Sequence, residues 1–416
     1  MESVIVPSEL RGNVKAPPSK SMTQRAIAAA LLADGETIIT NPSSCDDSLA
    51  AMSIASGLGA VVRKEGNELS IKGSGELREN KLHCGESGLA IRMFSPIAAL
   101  YDSEIIMTGT GSLAKRPMSM IEDALRQFDV SCTSEGGYLP LTIRGPLSGG
   151  YCEIDGSVSS QLLTGLLMAL PLADKNSEIK VLNLKSKPYI DMTLQVLGRF
   201  GIRIDRTGYT RFRIEGNQRY SSQKFEVEGD WSGGAFLLVG GAINGEITVD
   251  GLRPGSYQSD KAILTVLDNV GARVSIRDNS IGISRSDLKP FLFDATESPD
   301  LFPPLVALAS YCKGISSIKG VSRLVHKESD RASALAAEFG KMNISIELID
   351  DTMFVTGGKV TGGQVDSHGD HRIAMAAAIA ALGASGRISI RDSHCVNKSY
   401  PAFFEDLRHL GTMVYE

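Results

Sequence analysis

The stretch Lys15 to Arg25, KAPPSKSMTQR, sets cations, hydroxyls and a helix start side by side, the combination that holds small anions. Pro17 and Pro18 bar a helix before them. Ser21 followed by Gln24 reads as a capping box opening a helix that runs through Leu32. Lys20 is then expected just outside the first turn, while Ser21 and Arg25, four apart, share one face. A helix N-terminus already carries roughly half a positive charge, so Lys and Arg added there without an acidic sequence neighbour call for an anion. The plainer alternative is a solvated basic turn.

Other stretches carry the same chemistry. Arg372 opens a helix of almost pure Ile, Ala, Met and Leu, so its charge sits at a buried, already positive helix end. Either Asp370 neutralises it or a ligand carboxylate or phosphate does. His368 and His371 share a metal-like spacing, but no HExxH helix or further ligand cluster accompanies them, and we expect no metal. In Lys327-Glu328-Ser329-Asp330-Arg331 the cations suit an anion and Glu328 suits a proton shuttle. The run reads equally as a surface ion-pair series. Asp300, in Ser298-Pro299-Asp300, is a second acid or base. Ser159-Ser160-Gln161 offers hydroxyls and an amide at a helix start, a phosphate cradle or an ordinary cap. GxxxxGK[ST], GxGxxG and GxSxG motifs are absent, and we expect no cofactor. Transfer between two anionic substrates, driven by positioning and charge stabilisation, fits this set.

The elements that must position these residues recur. An amphipathic helix, a small turn and a strand hairpin appear six times. The turns are Leu58-Gly59-Ala60, Phe128-Asp129-Val130, Phe200-Gly201-Ile202, Val270-Gly271-Ala272, Met342-Asn343-Ile344 and Leu410-Gly411-Thr412. Hairpins are expected from Val61, Ile202 and Ala272, where apolar residues alternate around a Gly or Asn turn. Each copy also holds an earlier, more apolar helix, beginning near Lys20-Ser21, Ser87-Gly88, Ser159 to Gln161, Asp230 to Ser232, Asp300 and Asp370 to Arg372. The loops into the amphipathic helices hold Asp46-Asp47, Lys115-Arg116, Lys187-Tyr189, Ser259-Asp260, Lys327 to Arg331 and Lys398-Ser399, so reactive types fill equivalent places.

The sixth copy stops at Thr412 to Tyr415 without a returning strand, while Ser3 to Val6 is a strand with no copy of its own. We expect the N-terminal strand to complete the sixth repeat, with two chain crossings. This predicts an α/β (α+β) fold of two three-repeat domains, 13–228 and 1–12 with 229–416. Their facing helix ends would form a positive cleft.

Composition agrees. The 416 residues, 42% hydrophobic, suffice for more than one core, and the net charge of -5 argues against nucleic acid or an anionic membrane as partner. Six scattered cysteines without a CxxC pair suit buried thiols in a reducing compartment. With no signal sequence or spanning run, we expect a cytoplasmic monomer.

In combination these motifs resemble the 5-enolpyruvylshikimate-3-phosphate synthase family, the 3-phosphoshikimate 1-carboxyvinyltransferases, over the whole chain. The matching stretches are Pro18 to Arg25, Lys115-Arg116-Pro117, Asp155 to Gln161, Ser186 to Tyr189, Lys327 to Arg331, Asp370 to Arg372 and Lys398 to Pro401. The resemblance implies the enolpyruvyl transferase fold and transfer of an enolpyruvyl group from phosphoenolpyruvate to the 5-hydroxyl of shikimate 3-phosphate. It implies a phosphoenolpyruvate site of Lys20, Gly88, Arg116, Gln161, Arg331, Arg372 and Lys398. For shikimate 3-phosphate it implies Ser21 and Arg25 on the carboxylate and Ser159, Ser160, Ser186 and Lys327 on the phosphate. Gln161 and Tyr189 would support the ring, with Lys20 and Asp300 also at this substrate. Asp300 would take the hydroxyl proton, and Lys20 with Glu328 would handle protons at the enolpyruvyl carbon.

One motif departs from the family, which has Asn, then Ala or Ser, then Gly-Thr where this chain has Glu86-Ser87-Gly88-Leu89 before Arg92. Glu86 either repels phosphoenolpyruvate or pairs with Arg92. Two rivals remain. A UDP-amino-sugar enolpyruvyl transferase is opposed by Lys20-Ser21 and by a cysteine-free loop at Gly111 to Arg116. A non-catalytic anion-binding scaffold is opposed by Lys20, Asp300 and Glu328 occurring together.

Overall fold

The computed structural model describes residues 1–73, 75–325 and 327–416. Twelve α-helices lie among them: α1 Lys20–Leu32, α2 Asp46–Gly57, α3 Gly88–Ala98, α4 Ser119–Arg126, α5 Gln161–Ala169, α6 Lys187–Arg199, α7 Trp231–Asn244, α8 Ile263–Asn269, α9 Phe302–Ala309, α10 Arg331–Lys341, α11 His371–Ala381 and α12 Phe403–His409. The odd-numbered helices are the apolar ones. Every residue of α3, α9 and α11 is buried, because a helix apolar all round has no face to give to water. The even-numbered helices cover them with one apolar face.

Each even helix ends in the same turn. Gly59, Asp129, Gly201, Gly271, Asn343 and Gly411 all take positive φ, from 61° at Asp129 to 107° at Gly59. Only Gly, Asn and Asp enter this left-handed region at low cost. The next amide in each copy donates to the carbonyl five residues back, as from Ala60 to Ala55 (2.9 Å), Ile202 to Leu197 (3.0 Å) and Ile344 to Phe339 (3.0 Å). That is the Schellman ending, which satisfies helix carbonyls while turning the chain into the hairpin. The hairpins follow as expected: Val61–Glu65 with Glu68–Lys72, Ile204–Thr207 with Arg211–Ile214, and Arg273–Arg277 with Ser280–Ser284.

Among the described residues six four-stranded sheets share one pattern, a parallel pair extended by two antiparallel strands. In three of them one strand comes from a distant stretch of chain. Lys224–Glu226 lies parallel to Glu36–Thr40, and Leu10–Lys15 lies parallel to Gly245–Asp250. Glu2–Ile5 pairs antiparallel with both Ile388–Arg391 and Val414–Tyr415, completing the sixth copy.

The chain forms two compact units, Pro18–Val227 and Met1–Pro17 with Glu228–Glu416. The first boundary lies at Pro17/Pro18 rather than at residue 13, because Leu10–Lys15 stays in register with Gly245–Asp250 and the Ala16 amide still donates to Asp250 (2.8 Å). Glu228 belongs to the second unit, where its carboxylate accepts from Ser256 and Gln258. Each unit has its own apolar core. No helix among the described residues is long and apolar enough to cross a membrane.

Candidate active site

In the Pro18–Val227 unit the cap of α1 is Ser19, whose hydroxyl accepts from the Met22 amide (3.4 Å); the expected Ser21–Gln24 capping box does not form. Ser19 sits directly after two prolines that hold the chain extended, so the helix starts two residues earlier than a cap at Ser21 allows. Lys20 is therefore the first helical residue, not one outside the turn. Its ammonium lies 2.9 Å from Asp47 in the first turn of α2. The acidic neighbour absent from the local sequence thus arrives from the adjacent helix.

Arg25 is buried beneath this helix start and its partners are neutral oxygens. Nε donates to Thr193 Oγ1 (2.9 Å), Nη1 to the Ser21 carbonyl (2.9 Å), and Nη2 to Thr164 Oγ1 and the Tyr189 carbonyl (3.4 Å each). The Tyr189 ring centroid is 5.9 Å from the guanidinium. Burial lowers the Arg25 pKa to about 10, still far above neutrality, so the site holds a full positive charge. Thr164 and Thr193 carry no sequence signal, since a threonine inside a helix usually packs or bonds backward. Ser186, just before α6, is buried at φ +57°, a left-handed conformation that serine seldom adopts.

At the start of α3 the chain narrows to Gly88. A Cβ placed there would lie 2.7 Å from Arg116 Nη1, 2.9 Å from Arg92 Nη1 and 3.6 Å from Gln161 Oε1. Two guanidinium groups and an amide from three elements therefore meet over one glycine. Arg92 Nη1 donates to Gln161 Oε1 (2.9 Å), and the Ser87 hydroxyl, which caps α3, donates to Gln24 of α1 (3.3 Å). The N-terminal turns of α1, α3 and α5 thus gather at one end of the unit. The Ser159 hydroxyl accepts from the Gln161 amide (3.1 Å), whereas Ser160, the residue before α5, forms no side-chain cap bond. The Glu86 carboxylate accepts from Ser112.

In the other unit Asp300 is the hub. Oδ1 accepts from Lys327 Nζ (3.0 Å) and Arg331 Nη1 (2.8 Å), and Oδ2 accepts from Arg372 Nη2 (3.1 Å). Arg331, almost fully buried, also reaches Asp370 through Nε (2.8 Å) and Glu328 through Nη2 (2.5 Å). Burial alone would raise the Asp300 carboxyl, but Arg372, Lys327 and Arg331 together hold it well below its ordinary value. Burial likewise opposes the charge on Arg331, yet Asp370, Glu328 and Asp300 keep its guanidinium above its usual value. On Lys327 burial wins and lowers the ammonium, against the pull of Asp300.

The Lys327–Arg331 run is thus no surface ion-pair series, because Arg331 opens α10 facing inward. Of the partners open to Arg372, the guanidinium takes Asp300; Asp370 caps its backbone amide (3.0 Å) and binds Arg331. His371 is buried with its ring 3.7 Å from Asp370, while His368 bonds to Glu338 (2.8 Å), so the two rings of the metal-like spacing turn to different partners. Lys398 is buried at the end of the short 3-10 helix Ser393–Lys398. Asp260, buried and hydrogen-bonded to Ser232 of α7, has its carboxyl raised to about 6, first by burial and then by Asp300.

Cations, carboxylates and hydroxyls gathered at the helix starts of a six-copy α/β chain define a protein built to handle small anions. Comparison with known proteins narrows this. The family described as EPSP synthase (3-phosphoshikimate 1-carboxyvinyltransferase) matches residues 4–407. The 3-phosphoshikimate 1-carboxyvinyltransferase of Clostridium perfringens (strain SM101 / Type A) is 39% identical, covering 99% of each chain. That of Clostridium kluyveri is 40% identical, covering 99% of this chain and 98% of the relative. Among solved structures, EPSP synthase from Acinetobacter baumannii superposes with TM-score 0.83 at 26% identity over the whole of both chains. The enolpyruvyl transferase NikO from Streptomyces tendae shares the fold, with TM-score 0.81 at 18% identity. The chain belongs to the EPSP synthase family.

Proposed function

We infer that this protein transfers the enolpyruvyl group of phosphoenolpyruvate to the 5-hydroxyl of shikimate 3-phosphate, releasing phosphate. The observation that carries the chemistry is Asp300, an ionised carboxylate gripped by Lys327, Arg331 and Arg372. Three cations on one carboxylate make it a poor base. An anionic substrate that draws those cations to itself raises the proton affinity of Asp300, so the base is switched on by the substrate it serves.

In this reading Asp300 takes the proton as the hydroxyl oxygen bonds to the central enolpyruvyl carbon. Lys20, ion-paired with Asp47, gives one proton to the methylene carbon. Glu328, a carboxylate beside Arg331, then takes a proton from the new methyl group as the bond to phosphate breaks, which restores the double bond. Arg25 and Ser21 hold the shikimate carboxylate, and Ser159, Ser160, Ser186 and Lys327 hold its phosphate. Gln161 and Tyr189 support the ring. Gly88, Arg116, Gln161, Arg331, Arg372, Lys398 and Lys20 hold phosphoenolpyruvate. Arg25 supports the carboxylate role most directly, since a buried charge among neutral oxygens still has a counter-ion to satisfy.

We assign a cytoplasmic, monomeric enzyme with no cofactor; five of its six thiols are buried and none is in a disulfide, which suits a reducing compartment. The test is phosphate release from phosphoenolpyruvate with shikimate 3-phosphate, against phosphoenolpyruvate with a UDP-amino sugar. Release with the first pair alone is expected. Release with the sugar alone, or with neither pair, overturns the reading.

A further inference from the structure

We propose that Glu86 is a positioning residue that sets the guanidinium of Arg116 by clamping, through Ser112, the start of the turn Gly111–Lys115. Glu86 Oε2 accepts both from the Ser112 amide (3.1 Å) and from the Ser112 hydroxyl (3.0 Å). The same hydroxyl oxygen accepts from Arg116 Nη2 (3.4 Å). The polarity runs one way, from guanidinium to hydroxyl to carboxylate, and each bond strengthens the next as an acceptor.

The surrounding chain is shaped to admit this clamp. Gly111 stands at φ +55°, and a Cβ there would lie 2.2 Å from Glu86 Oε1 and 2.6 Å from Oε2, so a side chain at that position and the carboxylate exclude each other. The backbones of the two segments are already tied, with the Cys84 amide donating to Thr108 (2.8 Å) and the Thr110 amide to Gly85 (2.9 Å). Glu86 extends that pairing by one side chain onto the 3-10 turn. While Nη2 of Arg116 is held by Ser112, Nη1 is the group poised over Gly88. An acid beside an anion site is expected to repel the anion; here it fixes the cation that receives it, which lowers the ordering cost of binding.

The kinetic consequence rests on the phosphoenolpyruvate reading above, whereas the clamp does not. Two readouts keep them apart. Amide hydrogen exchange is followed over residues 109–116 in the unmodified protein, Glu86→Ala, Glu86→Gln and Ser112→Ala, and KM and kcat are measured for the unmodified protein and all three variants. Glu86→Ala is expected to speed exchange of the Ser112 amide at least tenfold. Glu86→Gln, which keeps an accepting oxygen, is expected to stay near the parent. In turnover Glu86→Ala and Ser112→Ala are each expected to raise KM for phosphoenolpyruvate several-fold. KM for shikimate 3-phosphate should move little, and a double variant carrying Glu86→Ala and Ser112→Ala, assayed alongside them, should be no worse than the poorer single one. Unchanged exchange in Glu86→Ala overturns the clamp. A lower KM in both Glu86 variants also overturns it, since removing a mere repeller has that effect. If exchange changes as expected but the unmodified protein releases no phosphate, the clamp stands and the assigned reaction falls.

Discussion

The cations around Asp300 in one unit and Arg25 in the other are held in opposite ways. Around Asp300 the charges are saturated: Lys327, Arg331 and Arg372 meet Asp300, Glu328 and Asp370, and Arg331 touches all three carboxylates. Around Arg25 the partners are threonine hydroxyls and backbone carbonyls. A saturated network keeps its shape by its own attraction, and a ligand must compete for the cations. A neutral cradle leaves the charge unbalanced, so the ligand supplies the missing partner. The first arrangement suits proton transfer, because redistributing the cations changes the basicity of a carboxylate. The second suits affinity.

The largest effect should come from breaking the saturated side. Arg331→Met leaves Asp300, Glu328 and Asp370 around an apolar chain, and removing one partner of a buried ion network costs about 3–5 kcal/mol. The unfolding transition of that unit should fall accordingly in thermal or denaturant scans. Arg25→Met is the converse. Thr164 and Thr193 already lie 3.0 Å apart and can satisfy each other, so stability should change by less than about 1 kcal/mol. Binding of shikimate 3-phosphate, read by calorimetry, should weaken about 100-fold. Comparable losses of stability in both variants would erase the contrast between the units.

The comparison sharpens with pH. Asp260 has a folded pKa of about 6, above its unfolded value near 3.8, so its contribution is fully present below pH 4 and lost as pH rises through 6. Asp300 has the opposite sign, stabilising above its unfolded value and losing that contribution as pH falls toward its depressed folded one. Asp260→Asn should therefore raise stability at pH 7 by on the order of 2 kcal/mol and flatten its pH dependence between about 4 and 6. The smallest effect belongs to Gly88→Ala. The atoms nearest the added methyl are the far ends of the long Arg116, Arg92 and Gln161 side chains rather than backbone, so the fold should tolerate it. Displacing both guanidinium groups should raise KM for phosphoenolpyruvate about tenfold.

Much of this was written in local patterns. The six repeats were legible because each even helix must end in a left-handed residue, and Gly, Asn or Asp recurs there in the sequence. The buried helices were legible because an all-apolar face cannot meet water, and polar residues marked where they start. The N-terminal strand was legible as the piece missing from the sixth copy.

What only the tertiary structure decided is which charges meet. Nothing near Lys20 in the chain announces Asp47, Arg372 chose Asp300 over its own helix cap Asp370, and Glu86 found Ser112. Helix and turn preferences act over a few residues and are encoded where they act. Ion pairs depend on distances of a few ångströms between segments far apart in sequence, and those distances exist only after the sheets and helices have packed.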